Sequence, residues 1–361
     1  LDPDMAPRLK TYLEKQGVEV LPGRKTVEIT PDEVVFEDGA KARADLVIIA
    51  TGIRPNTGLA QSIGVALGST GAIAVNDRLQ TNVTDVYACG DCAESFSIID
   101  GKPLYRPLGS TANKQGRIVG DTLTGGGLTH KGIAGTGIFR VFELTIGTTG
   151  LRLPEAEAKG YDVAIAHITK PAIPEYLKGR EMVIKAISDR KTKKLLGAQI
   201  IGFEGVDKRL DVLVTAMSAG LEAPELAHLD LAYAPPFATT KDPIIYTGMV
   251  LGNVLERAHE LMPAEKLIQL LQTDPDSVVV IDTRSPKQYE ESHVEGAVNI
   301  PQVNIRQKIA ELDPAKTYVT YCNRGVTGNA VQNILINNGF KNVYNLSGGF
   351  SQYKVTKSIL K

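Results

Sequence analysis

Cys322 stands between two stretches with different backbone preferences, which limits the folds open to this part of the chain. The run before it, YVTY at 318–321, is β-branched and aromatic, as is typical of a buried strand. A loop with Gly325 follows, and we predict that a helix begins at about Asn329. Backbone N–H groups in such a loop, together with the helix dipole, stabilise a thiolate or a persulfide. The sequence therefore predicts an α/β layer that carries a reactive Cys322 rather than a buried, inert cysteine.

The stretch from Met262 onward has the strand–helix rhythm of a separate α/β domain of about 100 residues. It contains the motifs DTR at 282–284, EESHVEGAVNIP at 290–301, CNRGVT at 322–327 and LSGGF at 346–350. These motifs resemble a rhodanese domain, which implies that Cys322 carries sulfane sulfur as a persulfide. The resemblance also implies that the loop residues after Cys322 bind the substrate, namely Asn323, Arg324, Gly325, Val326 and Thr327.

The length of the Cys322 loop bears on its chemistry. The related dual-specificity phosphatases share the rhodanese fold, but their loop is one residue longer and ends in an arginine that binds phosphate. Thr327 and Gly328 occupy the corresponding place here. The shorter loop favours sulfur over phosphate as the group that is bound.

A second informative stretch is TNVTDVYACGD at 81–91. We predict that 86–89 forms a short buried strand that stops at Gly90-Asp91, where a carboxylate can accept a hydroxyl hydrogen bond. Together with ATGIRPN at 50–56, this stretch resembles the flavin-contacting segments of the FAD-dependent pyridine nucleotide-disulfide reductases. The resemblance implies that Asp91 holds the ribityl chain of FAD. It assigns cofactor binding to Thr81, Asn82, Val83, Thr84, Asp85, Val86, Tyr87, Ala88, Cys89, Gly90 and Asp91.

Residues 129–255 show the mixed pattern of an α+β domain. Strands are predicted at 138–142, 163–167, 182–186 and 195–201, and an amphipathic helix at 206–218. This order resembles the dimerisation domain of the same reductases, which implies a homodimer with the twofold symmetry common among oligomers. A short linker is predicted at 255–259, before the rhodanese-like stretch.

The run LAYAPPFATTKDP at 231–243 resembles the coenzyme A-disulfide reductase group of that family. The resemblance implies that Tyr233 enters the partner subunit's active site beside the flavin, as a catalytic and cofactor-binding residue. It implies that Lys241 binds a phosphate of coenzyme A, for which a lysine is a suitable point charge. It also implies substrate contacts for Asn113, on a helix predicted from about Ser110, and for Tyr176.

Residues 1–50 resemble the end of a doubly wound α/β domain. The predicted elements are a helix at 6–16, a strand at 18–21, a hairpin of 26–29 and 33–36, and a strand buried on both faces at 45–50. No G-x-G-x-x-G fingerprint is present, so we expect a fragment that lacks its first flavin half and the start of its nicotinamide domain. The residue that chooses between NADH and NADPH is therefore not in the sequence.

Composition excludes several other classes of function. The formal net charge of −1 gives no reason to expect nucleic acid or a membrane surface as a partner. The odd count of three cysteines fits a reducing cytoplasm. Cys89 and Cys92 form a C-x-x-C, a spacing typical of a thioredoxin-like redox pair or of half a zinc site. A redox pair should open a helix, whereas Cys89 lies inside a predicted strand, and no second ligand pair completes a zinc shell. We therefore expect both to be buried, and we expect no metal site.

The predicted fold class is α/β and α+β, with partial Rossmann-like NAD and FAD domains, an α+β dimerisation domain and a C-terminal α/β rhodanese domain. The predicted boundaries are 1–50, 51–128, 129–255 and 260–361. The resemblance implies flavin-dependent reduction of coenzyme A disulfide, coenzyme A persulfide or polysulfide by NAD(P)H. The alternative is a truncated dimerising module with only sulfurtransferase activity.

Overall fold

The computed structural model describes residues 1–359, which form two compact units. The smaller unit consists of residues 10–97 and 101–133, and the larger one of residues 1–9, 98–100 and the chain from 134 onward. Each unit has its own sheets, and the two are described separately below.

Near the start of the chain, helix α1 (Ala6–Lys15) ends at Gly17, whose φ of +83° suits the left-handed turn after a helix. Three antiparallel strands follow in the smaller unit: β1 (Thr26–Ile29), β2 (Glu33–Phe36) and β3 (Lys41–Arg43). The helix and the hairpin are confirmed, because both depend on residues that are close in sequence.

Two strands predicted for this region are wrong. Residues 18–21 lie outside any strand, and 45–50 is an irregular segment in which Leu46 is 81% exposed and Ile48 82% exposed. A strand buried on both faces needs neighbouring strands to take up its backbone hydrogen bonds. In the described part of the chain, the three-stranded sheet does not extend to 45–50, so these apolar side chains have no core to enter.

The rest of the smaller unit contains helix α2 (Gly58–Ser62), the two-stranded pair β4 (Ser95–Phe96) and β5 (Pro103–Leu104), and helix α3 (Gly109–Leu123). Helix α3 confirms the helix predicted from about Ser110. A small apolar cluster around Val65, Ile73 and Ala88 holds the loops of this unit together.

The larger unit contains a five-stranded antiparallel sheet. Its strands are β6 (Gly137–Val141), β7 (Leu144–Gly150), β8 (Val163–Pro171), β9 (Glu181–Asp189) and β10 (Leu195–Gly202), in the order β6-β7-β10-β9-β8. Helix α4 (Leu153–Ala158), helix α5 (Val206–Ala219) and helix α6 (Pro243–Arg257) accompany it, with 3₁₀ turns at Glu175–Leu177 and Ala223–His228. The predicted strands and the helix at 206–218 are confirmed. Because α6 continues to Arg257, the linker predicted at 255–259 begins too early.

The same unit contains a five-stranded parallel sheet. Its strands are β11 (Leu261–Met262), β12 (Val278–Asp282), β13 (Val298–Asn299), β14 (Thr317–Tyr321) and β15 (Val343–Leu346), in the order β11-β15-β14-β12-β13. Its helices are α7 (Ala264–Thr273), α8 (Pro286–Glu291), α9 (Ile305–Lys308), α10 (Val326–Asn337) and α11 (Gly349–Ile359), with 3₁₀ turns at Pro275–Ser277, Gln302–Asn304 and Ile309–Glu311.

The parallel sheet is buried on both faces, as its continuous apolar strands predict. Leu267 and Phe350, from α7 and α11, belong to one buried cluster, and Val331 and Leu335, from α10, belong to another. Cys322 follows β14 directly, so it lies at the carboxyl end of a central strand. None of the helices in the part of the chain that the structure describes is long and apolar enough to cross a membrane.

Candidate functional site

The Cys322 loop joins the end of β14 to the start of α10. Gly325 is the N-cap of α10 and has a φ of +90°, a conformation that glycine adopts without strain. The loop therefore turns into the helix at Val326, three residues before the predicted start. The first helical bond runs from the N–H of Asn329 to the carbonyl of Gly325, so the preceding N–H groups of α10 face the loop without an intrahelical acceptor.

Backbone and side-chain contacts fix the loop in place. Cys322 is 7% exposed, and its carbonyl accepts a hydrogen bond of 2.8 Å from the N–H of Phe350. A Cβ on Gly349 would lie 2.4 Å from that carbonyl oxygen, so only glycine fits there. The hydroxyls of Thr327 and Thr283 are hydrogen-bonded at 2.9 Å, which ties the first turn of α10 to the residue that follows β12.

A buried polar cluster lies under the loop. The Arg284 guanidinium is paired with the Asp282 carboxylate at 2.6 Å and donates to the Asn323 side chain at 3.1 Å. The Tyr321 hydroxyl donates to Asp282 at 2.6 Å. Burial, and then this hydrogen bond, raise the pKa of Tyr321 well above its usual range, so the phenol remains a neutral donor. The DTR motif thus supports the loop from below.

A cavity of about 730 Å³ opens beside Cys322. It is lined by most of the predicted substrate-binding loop and by Thr283, Arg284 and Pro301 of the other rhodanese-like motifs. Residues that the sequence did not indicate also line it: Glu181, Ser285, Gln288, Gln302, Val303, Ser351 and Lys354. Glu181 comes from β9 of the antiparallel sheet rather than from the rhodanese-like part. The cavity is therefore built by two domains.

The two tyrosines predicted for the site are exposed. Tyr233 is 52% exposed, and Tyr176, in the 3₁₀ turn at 175–177, is 74% exposed. Lys241 is also exposed and lines an inner cavity of about 210 Å³ together with Tyr246 and Arg324. Tyr233 and Tyr176 are thus accessible to solvent, and Lys241 lines a cavity that is also lined by residues of the Cys322 loop.

A further basic side chain, Lys170, lies next to Tyr246, which forms part of the wall of this inner cavity. The Lys170 ammonium lies 4.8 Å from the centre of the Tyr246 ring. Burial lowers the pKa of Lys170, and the positive charges of Lys241 and Arg324 lower it further. Lys241 and Lys170 thus bring positive charge that suits phosphate oxygens, whereas Arg324 is already paired with Glu175 and Glu181.

The position of Lys241 is fixed by its neighbour. Asp242 caps α6 by accepting a hydrogen bond of 2.9 Å from the N–H of Ile244. Its other carboxylate oxygen lies 2.8 Å from the Arg209 guanidinium, and both side chains are almost fully buried. Arg209 also donates to the carbonyl of Ala172 at 3.1 Å. The sequence did not indicate this pair.

The 81–91 segment lies in the smaller unit, and the strand predicted at 86–89 is wrong. The segment folds as a loop in which the N–H of Thr81 donates to the carbonyl of Val86 at 3.0 Å, and its one strand-like contact is a bridge between Gln80 and Tyr87. Asp85, with a φ of +61°, makes the tight turn. A local turn thus replaces the expected strand.

Gly90 and Asp91 follow this loop and lie beside α3. Gly90 has a φ of +82°, and its N–H donates to the side chain of the fully buried Gln115 on α3 at 2.7 Å. The Asp91 side chain is exposed, while its carbonyl accepts from the Tyr105 hydroxyl at 2.8 Å. Asn113, also on α3, is exposed. Gln115 was missed because a polar residue inside a helix gives no sequence signal of its tertiary partner.

The cysteine pair of this segment is half-buried rather than buried, which corrects the expectation for Cys89 and Cys92. The Cys92 thiol donates to the Cys89 carbonyl at 3.5 Å. Burial, and then the nearby Cys92, raise the pKa of Cys89, which disfavours its thiolate. Within residues 1–359, no group of three or more His, Cys, Asp or Glu side chains is arranged to hold a metal ion.

A buried polar chain in the larger unit was not predicted. Ser347 lies 2.9 Å from Nδ1 of His167, and Nε2 of His167 lies 2.8 Å from the Asp4 carboxylate. Burial alone would raise the pKa of Asp4, but His167 and Lys185 outweigh it and hold that pKa well below its usual value. Burial lowers the pKa of His167 despite its bond to Asp4. His167 thus joins the Asp4 carboxylate to the Ser347 hydroxyl inside the larger unit.

Three family models match the chain. The model described as pyridine nucleotide-disulphide oxidoreductase matches residues 1–116, the dimerisation domain of the same family matches 138–243, and the rhodanese-like domain matches 263–356. These matches, together with the parallel and antiparallel sheets, confirm the predicted fold class.

Several known proteins are similar to this chain. The NAD(P)H sulfur oxidoreductase (CoA-dependent) of Pyrococcus furiosus is 44% identical over 220 residues, which are 61% of this chain and 50% of that protein. The structure of reduced Bacillus anthracis CoADR-RHD superimposes on this chain with a TM-score of 0.95 and a sequence identity of 29%. The superposition covers 99% of this chain and 64% of the Bacillus anthracis chain. The NAD-dependent persulfide reductase of A. fulgidus is 33% identical in sequence and has a TM-score of 0.86. That match covers 98% of this chain and 64% of the A. fulgidus chain. The chain thus spans about half the length of the curated relatives it matches.

Proposed function

Since this chain belongs to the pyridine nucleotide-disulphide oxidoreductases and carries a rhodanese-like domain, we propose that it acts in the reduction of sulfur bonds by NAD(P)H. The substrates that we propose are coenzyme A disulfide, coenzyme A persulfide and polysulfide. The names of the relatives, among them a coenzyme A disulfide reductase of Staphylococcus aureus, favour this function over sulfurtransferase activity alone. The free cysteines of the described chain suit the reducing cytoplasm in which we place it.

The observation that carries the proposal is the position of Cys322. It follows a central parallel strand, faces the uncapped start of α10 and borders a cavity of about 730 Å³. Loop N–H groups and the helix dipole stabilise negative charge on sulfur there. We therefore propose that Cys322 carries sulfane sulfur as a persulfide, with Asn323, Arg324, Gly325, Val326 and Thr327 around the bound donor.

The smaller unit supports a flavin-binding role. The exposed Asp91 carboxylate can accept a hydroxyl hydrogen bond, and Gly90 at positive φ lets a ligand approach the backbone. The N-terminus of α3, whose N-cap Leu108 makes no side-chain cap, offers free N–H donors to a developing negative charge. These groups fit FAD, which when bound would carry electrons from NAD(P)H to the sulfur substrate. The residues from Thr81 to Asp91 would hold it.

The larger unit supports binding of coenzyme A and formation of a homodimer. Lys241, with Lys170 nearby, offers positive charge to the phosphates of coenzyme A. The exposed Tyr233 is free to enter the active site of a partner subunit, where its phenol would hydrogen-bond a thiolate. We also propose substrate contacts for Tyr176 in this unit and for Asn113 in the smaller one, both of which are exposed.

Thiocyanate formation from thiosulfate and cyanide tests the role of Cys322. The Cys322 thiolate attacks the outer sulfur of thiosulfate, and sulfite leaves with the electron pair of the broken S–S bond. Cyanide then takes the outer sulfur of the persulfide and restores the thiolate. Cys322→Ser should abolish thiocyanate formation, whereas Cys92→Ser, a half-buried cysteine in the other unit, should leave it intact. Equal rates in wild type and Cys322→Ser would refute the assignment.

The visible spectrum of the purified protein tests the flavin assignment. A bound flavin gives a yellow protein, and release of FAD on denaturation would identify the cofactor. A colourless protein that still forms thiocyanate would support the alternative, a module with sulfurtransferase activity only.

A further inference from the structure

Arg324, two residues after Cys322, is held by carboxylates from another domain. Its Nη1 lies 3.2 Å from Glu175, in the turn before β9, and its Nε lies 3.2 Å from Glu181, on β9 itself. Both glutamates fall within the part that matches the dimerisation domain, whereas Arg324 falls within the rhodanese-like part. Glu181 also lines the Cys322 cavity directly. The electrostatics of the sulfur-carrying cysteine therefore depend on a neighbouring domain.

The charges around the cavity are nearly balanced. Three cations line it, and two of them already have carboxylate partners: Arg284 is paired with Asp282, and Arg324 with the two glutamates. Lys354, whose ammonium lies 5.3 Å from the centre of the Phe350 ring, is the remaining lining cation among the residues that the structure describes. A donor with two negative charges would thus meet one unpaired cation, together with the carboxylate of Glu181.

Glu181 has a further basic neighbour outside the cavity. Burial lowers the pKa of Arg8, while the negative charges of Glu181 and Asp4 raise it. Arg8 is not part of the cavity lining and donates to the Gln352 side chain at 2.8 Å. Arg8 therefore does not contact a donor bound at Cys322. Glu181 does line the cavity, so its negative charge acts on the donor directly.

We propose that Glu175 and Glu181 are specificity-determining residues that make the Cys322 cavity select sulfur donors with one negative charge or none over dianions. This inference rests on the proposed role of Cys322 as a sulfur carrier. The two carboxylates neutralise Arg324, which would otherwise attract an anionic donor, and Glu181 adds repulsion of its own. The persulfide group of an organic persulfide carries at most one negative charge, whereas inorganic thiosulfate and polysulfide are dianions.

Two donors that differ by one charge make the test specific. Thiosulfate carries two negative charges, and methanethiosulfonate, in which a methyl group replaces one oxygen, carries one. In both cases the Cys322 thiolate forms a bond to the outer sulfur, and the S–S bond breaks. Sulfite leaves from thiosulfate and methanesulfinate from methanethiosulfonate, each with the electron pair, and cyanide then completes the cycle. The ratio of kcat/KM for the two donors isolates the effect of donor charge.

Glu181→Gln should raise the ratio of kcat/KM for thiosulfate to that for methanethiosulfonate about three- to tenfold, since a half-exposed charge contact has only part of the strength of a buried one. Glu175→Gln should act in the same direction, and the double variant should exceed either. The gain should shrink as salt is added, because salt screens exposed charges. Glu311→Gln is the matched control: it removes one carboxylate, paired with Lys308 at 2.8 Å, that does not line the cavity.

An unchanged ratio in Glu181→Gln and in the double variant, with both donors still active, would overturn the inference while leaving the role of Cys322 intact. Equal gains or equal losses with both donors would also overturn it, because the glutamates would then position the loop rather than select charge. Absence of Cys322-dependent transfer from either donor in the wild type would refute the proposed function, and the inference with it. Thermal unfolding and turnover of methanethiosulfonate show whether each variant is folded.

Discussion

The buried pair of Arg209 and Asp242 allows a stability prediction whose size follows from the contacts. Asp242 has two separate tasks, because one oxygen caps α6 at 2.9 Å and the other is paired with Arg209 at 2.8 Å. Asp242→Asn keeps an oxygen that can cap the helix but removes the negative charge. Asp242→Ala removes both functions.

Loss of the charge leaves the Arg209 guanidinium buried, with only its contacts to carbonyl groups such as that of Ala172. Removing one partner of a buried ion pair costs about 3–5 kcal/mol, because the other charge loses its compensation. Loss of a helix cap adds about 1 kcal/mol. We therefore expect Asp242→Asn to lower local stability by about 3–5 kcal/mol and Asp242→Ala by about 4–6 kcal/mol. Arg209→Met combined with Asp242→Asn should cost less than the sum of the two single changes.

Hydrogen exchange measured by mass spectrometry suits this prediction, since a multidomain chain does not unfold in two states. Amides of α5 and α6 should lose protection in Asp242→Asn, and those of the smaller unit should not. Asp211→Asn, on the exposed side of α5, is the control and should change stability by less than about 0.5 kcal/mol. A loss of under about 1 kcal/mol in Asp242→Asn would show that the pair contributes little.

Three further predictions concern ligand binding, pH and assembly. Lys241→Ala should weaken coenzyme A binding about tenfold by calorimetry but leave pantetheine, which lacks the phosphates, unaffected; equal losses for both would make Lys241 structural. Burial lowers the pKa of His167 below 6.5, so on acidification the imidazole is protonated in the unfolded chain before it is protonated in the folded chain. The contribution of His167 to the free energy of unfolding is therefore complete above about pH 6.5 and is lost below it. His167→Gln should flatten the loss of unfolding free energy between about pH 7 and about pH 5, and an equal slope in both proteins would contradict this. Sedimentation should show a dimer formed through 129–255, and a monomer at micromolar concentration would count against it.

The fold could be predicted from sequence wherever the decisive contacts are local or repeat along the element. The hairpin at 26–36 depends on a turn between adjacent strands, and the strands of both five-stranded sheets show continuous or alternating apolar residues. The segments 18–21 and 45–50 have equally strand-like sequences. Their structure depends on whether other strands lie beside them, and β propensity contains no information on that point.

The candidate site likewise contains features that the local sequence predicts and features that depend on distant residues. The position of Cys322 between a strand and a helix follows from neighbouring residues, and so does the positive φ of Gly90. Glu175 and Glu181, by contrast, are 149 and 143 residues away from Arg324 in the chain. Nothing in an exposed glutamate indicates which arginine it will meet, so a carboxylate from another domain becomes visible only in three dimensions.

Arg324 also connects the two cavities of the larger unit. It lines the cavity of Cys322 and the inner cavity of Lys241, and Val326 does the same. Its charge therefore acts on both sides, attracting anions and repelling Lys170. When Glu181 is neutralised, Arg324 keeps only Glu175 as a carboxylate partner, and its less compensated charge strengthens the field at Lys241 as well as at Cys322. Changes at Glu181 and Lys241 should consequently be non-additive for anion binding, as expected of residues that share a charged partner.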